Sequence, residues 1–171
     1  MALILAMLLL GLAQATSMAW WGNGQAQWWL QLLALAGLVG GLHLQAHRHV
    51  VSPADPLVRP RWWRSSTARA FGLGWGFATA WLTGTVWWLF ISMYTYGGLP
   101  APLSALAVLA LSAFLALYAA AASALYHRML LALMRAGRMS SARAGWWGPL
   151  CFAALWTLAE WARGTWLTGF P

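Results

Sequence analysis

The chain has 171 residues, of which 62% are hydrophobic and only 7% are charged. An average soluble domain is about a quarter charged, and a chain this apolar has too few polar side chains to cover a surface that faces water. The composition therefore excludes a soluble enzyme and a disordered tail, and the single cysteine excludes an intrachain disulfide scaffold. It predicts an integral membrane protein.

Five segments are long and apolar enough to cross a membrane, which takes about twenty residues of helix. They are predicted at about residues 1–18, 28–44, 70–95, 102–125 and 147–167. Nothing in the sequence alternates between apolar and polar residues as a strand would. The predicted fold is all-α: a polytopic bundle of about five transmembrane helices.

The first segment also has a second interpretation, as a signal peptide. Its apolar run is followed by Ala13-Gln14-Ala15, which resembles a cleavage site with small residues. However, no basic residue precedes the run, and the uncharged stretch continues past Trp21. These two features favour a retained helix.

Small residues predict where the helices touch, because helices in a bilayer associate through close backbone packing. Gly37 and Gly41 are four residues apart, and so are Gly72 and Gly76. A longer row at the same spacing contains Ser112, Ala116, Ala120 and Ala124.

The distribution of charge predicts the orientation. The formal net charge of +8 comes from ten Arg and no Lys, against Asp55 and Glu160. Nine of the ten Arg lie in two connecting segments, 46–69 and 126–145, whereas segments 17–27 and 96–101 carry no charge. Because cytoplasmic loops retain positive charge, this alternation predicts a cytoplasmic N-terminus and a C-terminal end at the outer face. It also explains the basic composition without a nucleic-acid partner.

Glu160 and Arg163 are the only charged residues inside a predicted span. Three residues apart, they share a helix face and can form an ion pair. An ionisable group in hydrocarbon costs about 3 kcal/mol, so its presence requires a reason. Three explanations stay open: an ion pair that orients helices, simple proximity to the outer interface, or a polar floor beneath a reaction site or a lipid headgroup.

The remaining reactive side chains predict neither a metal site nor a catalytic site. The four-residue spacing of His43 and His47, with His49 nearby, suits zinc, but only Asp55 is available as a further ligand. Cys151 has apolar neighbours and is predicted to be a packing residue. No catalytic residue and no cofactor are predicted from these patterns.

Two motifs resemble apolipoprotein N-acyltransferases. The first is Glu160, then Arg163-Gly164, then Thr168-Gly169-Phe170-Pro171. The second combines Gly74-Trp75-Gly76-Phe77 and Trp87-Trp88 with Tyr96-Gly97-Gly98-Leu99-Pro100, which is similar to the third helix and the outer turn of that family. The resemblance covers residues 70–171 well and the first seventy residues only in outline.

The resemblance implies an enzyme of the bacterial inner membrane, multi-pass, that completes lipoprotein maturation. Such an enzyme transfers an acyl chain from a phospholipid to the N-terminal diacylglyceryl-cysteine of a lipoprotein. It works through a thioester on a cysteine of a Glu-Lys-Cys triad, in a periplasmic nitrilase-like domain. The implied partners are therefore the phospholipid acyl donor, the diacylglyceryl-modified lipoprotein and membrane lipids.

The sequence departs from the family pattern because it has no Lys and ends at Pro171. Cys151 does not match the family nucleophile. The expectation is therefore the N-terminal part of a longer enzyme, inactive alone. The alternative is a non-catalytic polytopic membrane protein such as a transporter subunit.

The resemblance and the orientation together predict a rim for substrate or lipid at the outer face. Its predicted members are Tyr96, Gly97, Gly98, Glu160, Arg163, Thr168, Gly169, Phe170 and Pro171.

Overall fold

The computed structural model describes residues 2–16, 27–51, 65–137 and 142–166. Within these ranges the chain forms six α-helices and no strand, which confirms the all-α prediction there. The helices are α1 (Ala2–Thr16), α2 (Trp28–Val51), α3 (Ser66–Thr85), α4 (Trp88–Ile91), α5 (Ala101–Arg135) and α6 (Ala142–Trp166), with a π-helical turn, Ser92–Tyr96, between α4 and α5.

Two of the described helices are long and apolar enough to cross a membrane, namely residues Trp28–Val50 and Ala101–Arg135. Helix α5 has 35 residues and extends ten residues past the predicted end at 125. It continues because this extension is rich in Leu, Met and Ala, which are strong helix formers. It ends just before Gly137, whose φ of 65° lies in the left-handed region that commonly terminates helices.

The segment predicted as one span over 70–95 is divided. Helix α3 ends at Thr85, and the short helix α4 begins at Trp88 after a break. The break follows a glycine and β-branched residues, Thr83-Gly84-Thr85-Val86, which are poor helix formers. The backbone there tightens, because the amide of Leu89 donates to the carbonyl of Val86 at 3.0 Å.

The chain divides into two compact units. Unit 1 comprises Met1–Leu38 and Trp75–Leu117. In this unit α1 packs closely on α3: a Cβ on Gly11 would overlap the carbonyl oxygen of Phe77, and a Cβ on Gly84 would lie 2.6 Å from that of Ala15. Since Gln14 and Ala15 are also buried, α1 is an integral part of the packing of unit 1.

Unit 2 comprises Val39–Gly74 and Tyr118–Pro171. A Cβ on Gly74 would overlap the hydroxyl of Ser123 and lie 2.6 Å from its Cβ, so α3 and α5 approach each other closely at this point. The largest fully buried side chains of the unit include Leu42, Tyr126 and Leu130.

The small-residue predictions have mixed outcomes. Gly37 contacts α1, because a Cβ there would lie 2.6 Å from Leu10, and Ser112, Ala116 and Ala120 are fully buried. The packing role predicted for Gly72 is wrong: the residue is exposed, and no heavy atom lies within 4 Å of the Cβ position. The face of α3 that packs on α5 instead carries Gly74, two residues further along the helix.

Candidate functional site

The predicted outer turn begins as a π-helical segment in unit 1. The amide of Gly97 donates to the carbonyl of Ser92 at 3.0 Å, and the amide of Leu99 donates to the carbonyl of Met93 at 3.1 Å. Gly98 has a φ of 65°, in the left-handed region that costs a residue with a Cβ about 1 kcal/mol or more. At Gly97 a Cβ would lie 2.8 Å from the carbonyl oxygen of Met93. Glycine at both positions therefore permits this turn.

The turn presents aromatic side chains on its surface. Tyr96 is 85% exposed, and Trp87, Trp88 and Tyr94 are exposed as well. Tyr94 stacks on Phe90, with ring centroids 5.7 Å apart. Side chains that combine an apolar ring with a polar tip are typical of the headgroup zone of a bilayer.

Pro100 then starts helix α5. Its carbonyl accepts hydrogen bonds from the amides of Leu103 and Ser104, both at 3.0 Å, and from the Ser104 hydroxyl at 3.3 Å. Pro102 stands in the first turn, where a missing amide proton costs no helical hydrogen bond. The turn is thereby fixed to the start of a regular helix.

Glu160 and Arg163 form an ion pair on α6, in unit 2. The Nη2 atom of Arg163 donates to Oε2 of Glu160 at 2.5 Å, which confirms the pairing that the three-residue spacing predicts. Arg163 is buried and Glu160 is half-buried. A carboxylate beside a buried guanidinium neutralises its charge, which makes the pair tolerable in apolar surroundings.

The other predicted members of the rim, Thr168, Gly169, Phe170 and Pro171, lie outside the described residues. Tyr96, Gly97 and Gly98 lie together in the turn of unit 1, and Glu160 and Arg163 pair in α6. Contact of any of these residues with a substrate stays a prediction.

Two of the histidine side chains, His43 and His127, take part in hydrogen bonds between helices. His43 Nε2 and the Tyr126 hydroxyl are 2.7 Å apart, and His127 Nε2 and the Ser66 hydroxyl are 2.6 Å apart. The Gln45 side chain donates to the backbone carbonyl of Ser66 at 3.0 Å. In the described ranges, no group of three or more His, Cys, Asp or Glu residues could hold a metal ion.

These three hydrogen bonds form what we term the polar triangle, which comprises His43, Gln45, Ser66, Tyr126 and His127. One bond joins α2 to α5, one joins α2 to α3, and one joins α3 to α5. Each of the three helices is thus bonded to both of the others, within unit 2.

Helix α6 lies against one corner of the polar triangle. A Cβ on Gly148 would lie 3.2 Å from the Tyr126 hydroxyl and 3.6 Å from His43 Nε2. Phe152, one helical turn further along, packs edge-on against the Tyr126 ring at a centroid distance of 5.3 Å. Cys151 lies between them as a free, half-buried thiol.

The sequence interpretation missed the polar triangle, although a signal was present. Tyr126 and His127 are consecutive polar residues in a long run of Ala, Leu and Met, and a polar group inside an apolar helix requires a partner. The sequence does not identify that partner, since 83 residues separate His43 from Tyr126.

Comparison with known proteins agrees with the family resemblance of the two sequence motifs. The family model described as "Apolipoprotein N-acyltransferase N-terminal domain" matches residues 27–171. A relative from Verminephrobacter eiseniae, named "Apolipoprotein N-acyltransferase", is 48% identical over 164 residues, which cover 96% of this chain and 26% of that protein. A relative of the same name from Ralstonia nicotianae is 44% identical over 144 residues, 84% of this chain and 22% of that protein.

The chain therefore spans about a quarter of the length of these curated relatives. No solved structure matches it.

Proposed function

The chain belongs to the apolipoprotein N-acyltransferase family, and we propose that its helices form the membrane part of an enzyme that transfers an acyl chain from a phospholipid to the N-terminal diacylglyceryl-cysteine of a lipoprotein. The observation that carries this proposal is the family match over residues 27–171. The names of the matched relatives do not favour the alternative of a transporter subunit.

The proposed location is the bacterial inner membrane, which the chain crosses five times, through α1, α2, α3, α5 and α6. The apolar length of α2 and α5 supports crossing. The clustering of nine Arg in segments 46–69 and 126–145 supports a cytoplasmic N-terminus. With this orientation, the turn before α5 and the C-terminal end of α6 face the periplasm.

The turn at Tyr96–Pro100 is proposed to form part of a rim at which lipid headgroups are presented. Two features support this role: the exposed aromatic side chains suit the headgroup zone, and the turn carries no charged residue that would resist partial burial in lipid. Thr168-Gly169-Phe170-Pro171 is proposed to belong to the rim from its motif alone.

The Glu160–Arg163 pair is proposed to be a polar group near the periplasmic end of α6. It lies within the last two turns of the helix, which ends at Trp166. The ion pair neutralises both charges, so the helix end can accept neighbouring acyl chains while offering hydrogen-bonding groups to a headgroup.

The 171 residues contain no Lys, so they do not include a Glu-Lys-Cys triad. The thioester chemistry is therefore proposed to be supplied by sequence outside these residues, and we expect the 171-residue chain alone to show no acyl transfer. Its own contribution is to hold the lipid substrates in the membrane and present their headgroups.

A chimera tests this function. The aligned N-terminal segment of the Verminephrobacter relative is replaced by this chain, and acyl transfer from a phospholipid to a diacylglyceryl-lipopeptide is measured in membrane vesicles. We expect the chimera to retain activity within about tenfold of the unmodified relative, because the two segments share 48% identity. A tenfold decrease in rate corresponds to a loss of about 1.4 kcal/mol in transition-state stabilisation. The 171-residue chain serves as the negative control.

A chimera that inserts into the membrane and shows no transfer would contradict the proposal, as would transfer by the 171-residue chain alone. The rim is tested separately with a cysteine at Gly169, in a chain whose native Cys151 is replaced by Ala. We expect an impermeant maleimide to label it from outside intact spheroplasts, and protection there would exclude a periplasmic position.

A further inference from the structure

The polar triangle sets the register of three helices. Because direct hydrogen bonds join His43 and Gln45 of α2, Ser66 of α3, and Tyr126 and His127 of α5, these residues lie at one level along the helices. A helix rises about 1.5 Å per residue, so a residue three positions away lies about 5 Å along the axis from this level.

Exposed arginines lie on the same three helices, within about two turns of that level. Arg48 is three residues from Gln45, Arg69 is three residues from Ser66, and Arg128 follows His127 directly. Arg135 lies about two turns further along α5. We term Arg48, Arg69, Arg128 and Arg135 the arginine collar; all four are exposed, and all belong to unit 2.

Within the part of unit 2 that the structure describes, no carboxylate is available to neutralise the collar. Among the described residues of unit 2 the sole acidic residue is Glu160, and it pairs with Arg163. Four exposed positive charges therefore lie on the three helices that the polar triangle joins.

We propose that the arginine collar binds the phosphate groups of anionic phospholipids in the leaflet that surrounds this end of the helices. The chemistry favours phosphate, because a guanidinium presents planar paired donors to phosphate oxygens and every basic side chain other than His is Arg. The long side chain can lie along apolar surface while its charged end reaches a headgroup. The polar triangle keeps the three helices in register, and so sets the positions of their arginines along the helix axes.

This site is separate from the acyl-donor rim and does not depend on the proposed enzymatic activity. It is tested with the full chain in neutral detergent, as a shift in thermal unfolding midpoint. We expect phosphatidylglycerol to raise the midpoint by about 5 °C. Phosphatidylcholine and inorganic phosphate, added at the same phosphate concentration, should leave it unchanged.

Two single substitutions separate the collar from net charge, because Arg128→Gln and Ala2→Asp each lower the net charge by one. We expect Arg128→Gln to weaken the apparent affinity for phosphatidylglycerol about fivefold, as expected for one basic residue at an anionic surface. Ala2 is exposed at the start of α1 and belongs neither to the collar nor to the rim, so Ala2→Asp should leave the affinity unchanged.

The triple variant R48Q/R69Q/R128Q should lose the phosphatidylglycerol shift, and the charge-preserving R48K/R69K/R128K should keep more than half of it. If the Gln variant does not fold, native mass spectrometry of the unmodified chain supplies the readout, with phosphatidylglycerol adducts retained in preference to phosphatidylcholine. Equal effects of Arg128→Gln and Ala2→Asp, equal stabilisation by phosphatidylcholine, or a full shift with inorganic phosphate alone would overturn the proposal.

Discussion

The two units hold their helices together in different ways. In unit 1, α1 and α3 meet where glycines leave no room for a side chain, at Gly11 and at Gly84. One hydrogen bond between helices is also present in this unit, from Trp75 Nε1 to the Ala113 carbonyl at 2.8 Å. In unit 2, α2, α3 and α5 are joined by the polar triangle, although one glycine contact, Gly74 on Ser123, occurs there too. The first kind of contact depends on shape, and the second depends on donor and acceptor pairing.

This difference determines which substitutions each unit tolerates. A backbone-to-backbone contact cannot relax by turning a side chain, so an added side chain forces the helices apart. A hydrogen bond between helices contributes only about 1 kcal/mol, since the polar groups find other partners when it is absent. Unit 1 should therefore be sensitive to an added side chain at Gly11 and Gly84, and unit 2 both to an added side chain at Gly74 and to the loss of particular polar atoms.

The largest effect is expected from Gly11→Leu in unit 1. The new Cβ overlaps the Phe77 carbonyl and lies 2.9 Å from the Ala80 Cβ, and neither atom can rotate away. We expect the free energy of unfolding to fall by about 3 kcal/mol or more, measured by titration with dodecyl sulfate. Gly72→Leu is the matched control, because nothing lies within 4 Å of that position. Equal losses for both variants would show that α1 is not packed on α3.

Gly74→Ala tests the close contact in unit 2. Its Cβ would lie 2.6 Å from the Ser123 Cβ. We therefore expect the free energy of unfolding to fall by about 2 kcal/mol in the same titration. Adding Ser123→Gly removes the obstructing atoms and should restore about half of the lost free energy of unfolding. The other half stays lost because glycine has a low helix propensity. Gly164→Ala, an open position on α6, should be neutral or slightly stabilising. No recovery in the double variant would contradict the contact.

The third prediction concerns the buried corner of the polar triangle. Ser66→Ala leaves His127 Nε2 without the hydroxyl that it meets at 2.6 Å, so we expect a loss of about 1.5 kcal/mol. A double-mutant cycle with His127→Leu isolates the bond, and its coupling energy should be about 1 kcal/mol. Additive single effects would mean that the two side chains do not interact.

The smallest effect is expected from Tyr126→Phe, which removes only the hydroxyl that meets His43. The ring and its edge-on contact with Phe152 remain, so the loss should be about 1 kcal/mol. Tyr94→Phe removes the same atom from an exposed ring and should change nothing measurable. A larger decrease in the free energy of unfolding for Tyr94→Phe than for Tyr126→Phe would contradict the hydrogen bond between Tyr126 and His43.

The sequence predicted the all-helical fold of the described residues, because its apolar runs have the length of helices and show no strand alternation. It did not predict the break between α3 and α4. It failed where the structure depends on partners distant in the chain. Gly74 and Gly76 are indistinguishable by sequence, yet only Gly74 packs tightly, because the position of Ser123 on another helix decides the outcome.

At the candidate site too, contacts within one helix were predictable from the sequence and contacts between helices were not. The Glu160–Arg163 pair followed from a three-residue spacing on one helix. The bond between His43 and Tyr126 joins different helices, so it required the packing to be known.

We propose that the helices cross the membrane and that the Tyr96–Pro100 turn faces the periplasm. The two ends of α5 are the best places to test this topology. Gly98 and Gly137 are suitable sites, because nothing lies within 4 Å of either Cβ position. Each has a φ of 65°, so a cysteine there costs about 1 kcal/mol or more, which a labelling experiment tolerates. Each is replaced by Cys in a chain that carries Cys151→Ala, and intact spheroplasts are treated with an impermeant maleimide. We predict that Gly98→Cys is labelled in intact spheroplasts and Gly137→Cys only after permeabilisation. Labelling of both from the same side would contradict the crossing and the proposed position of the turn.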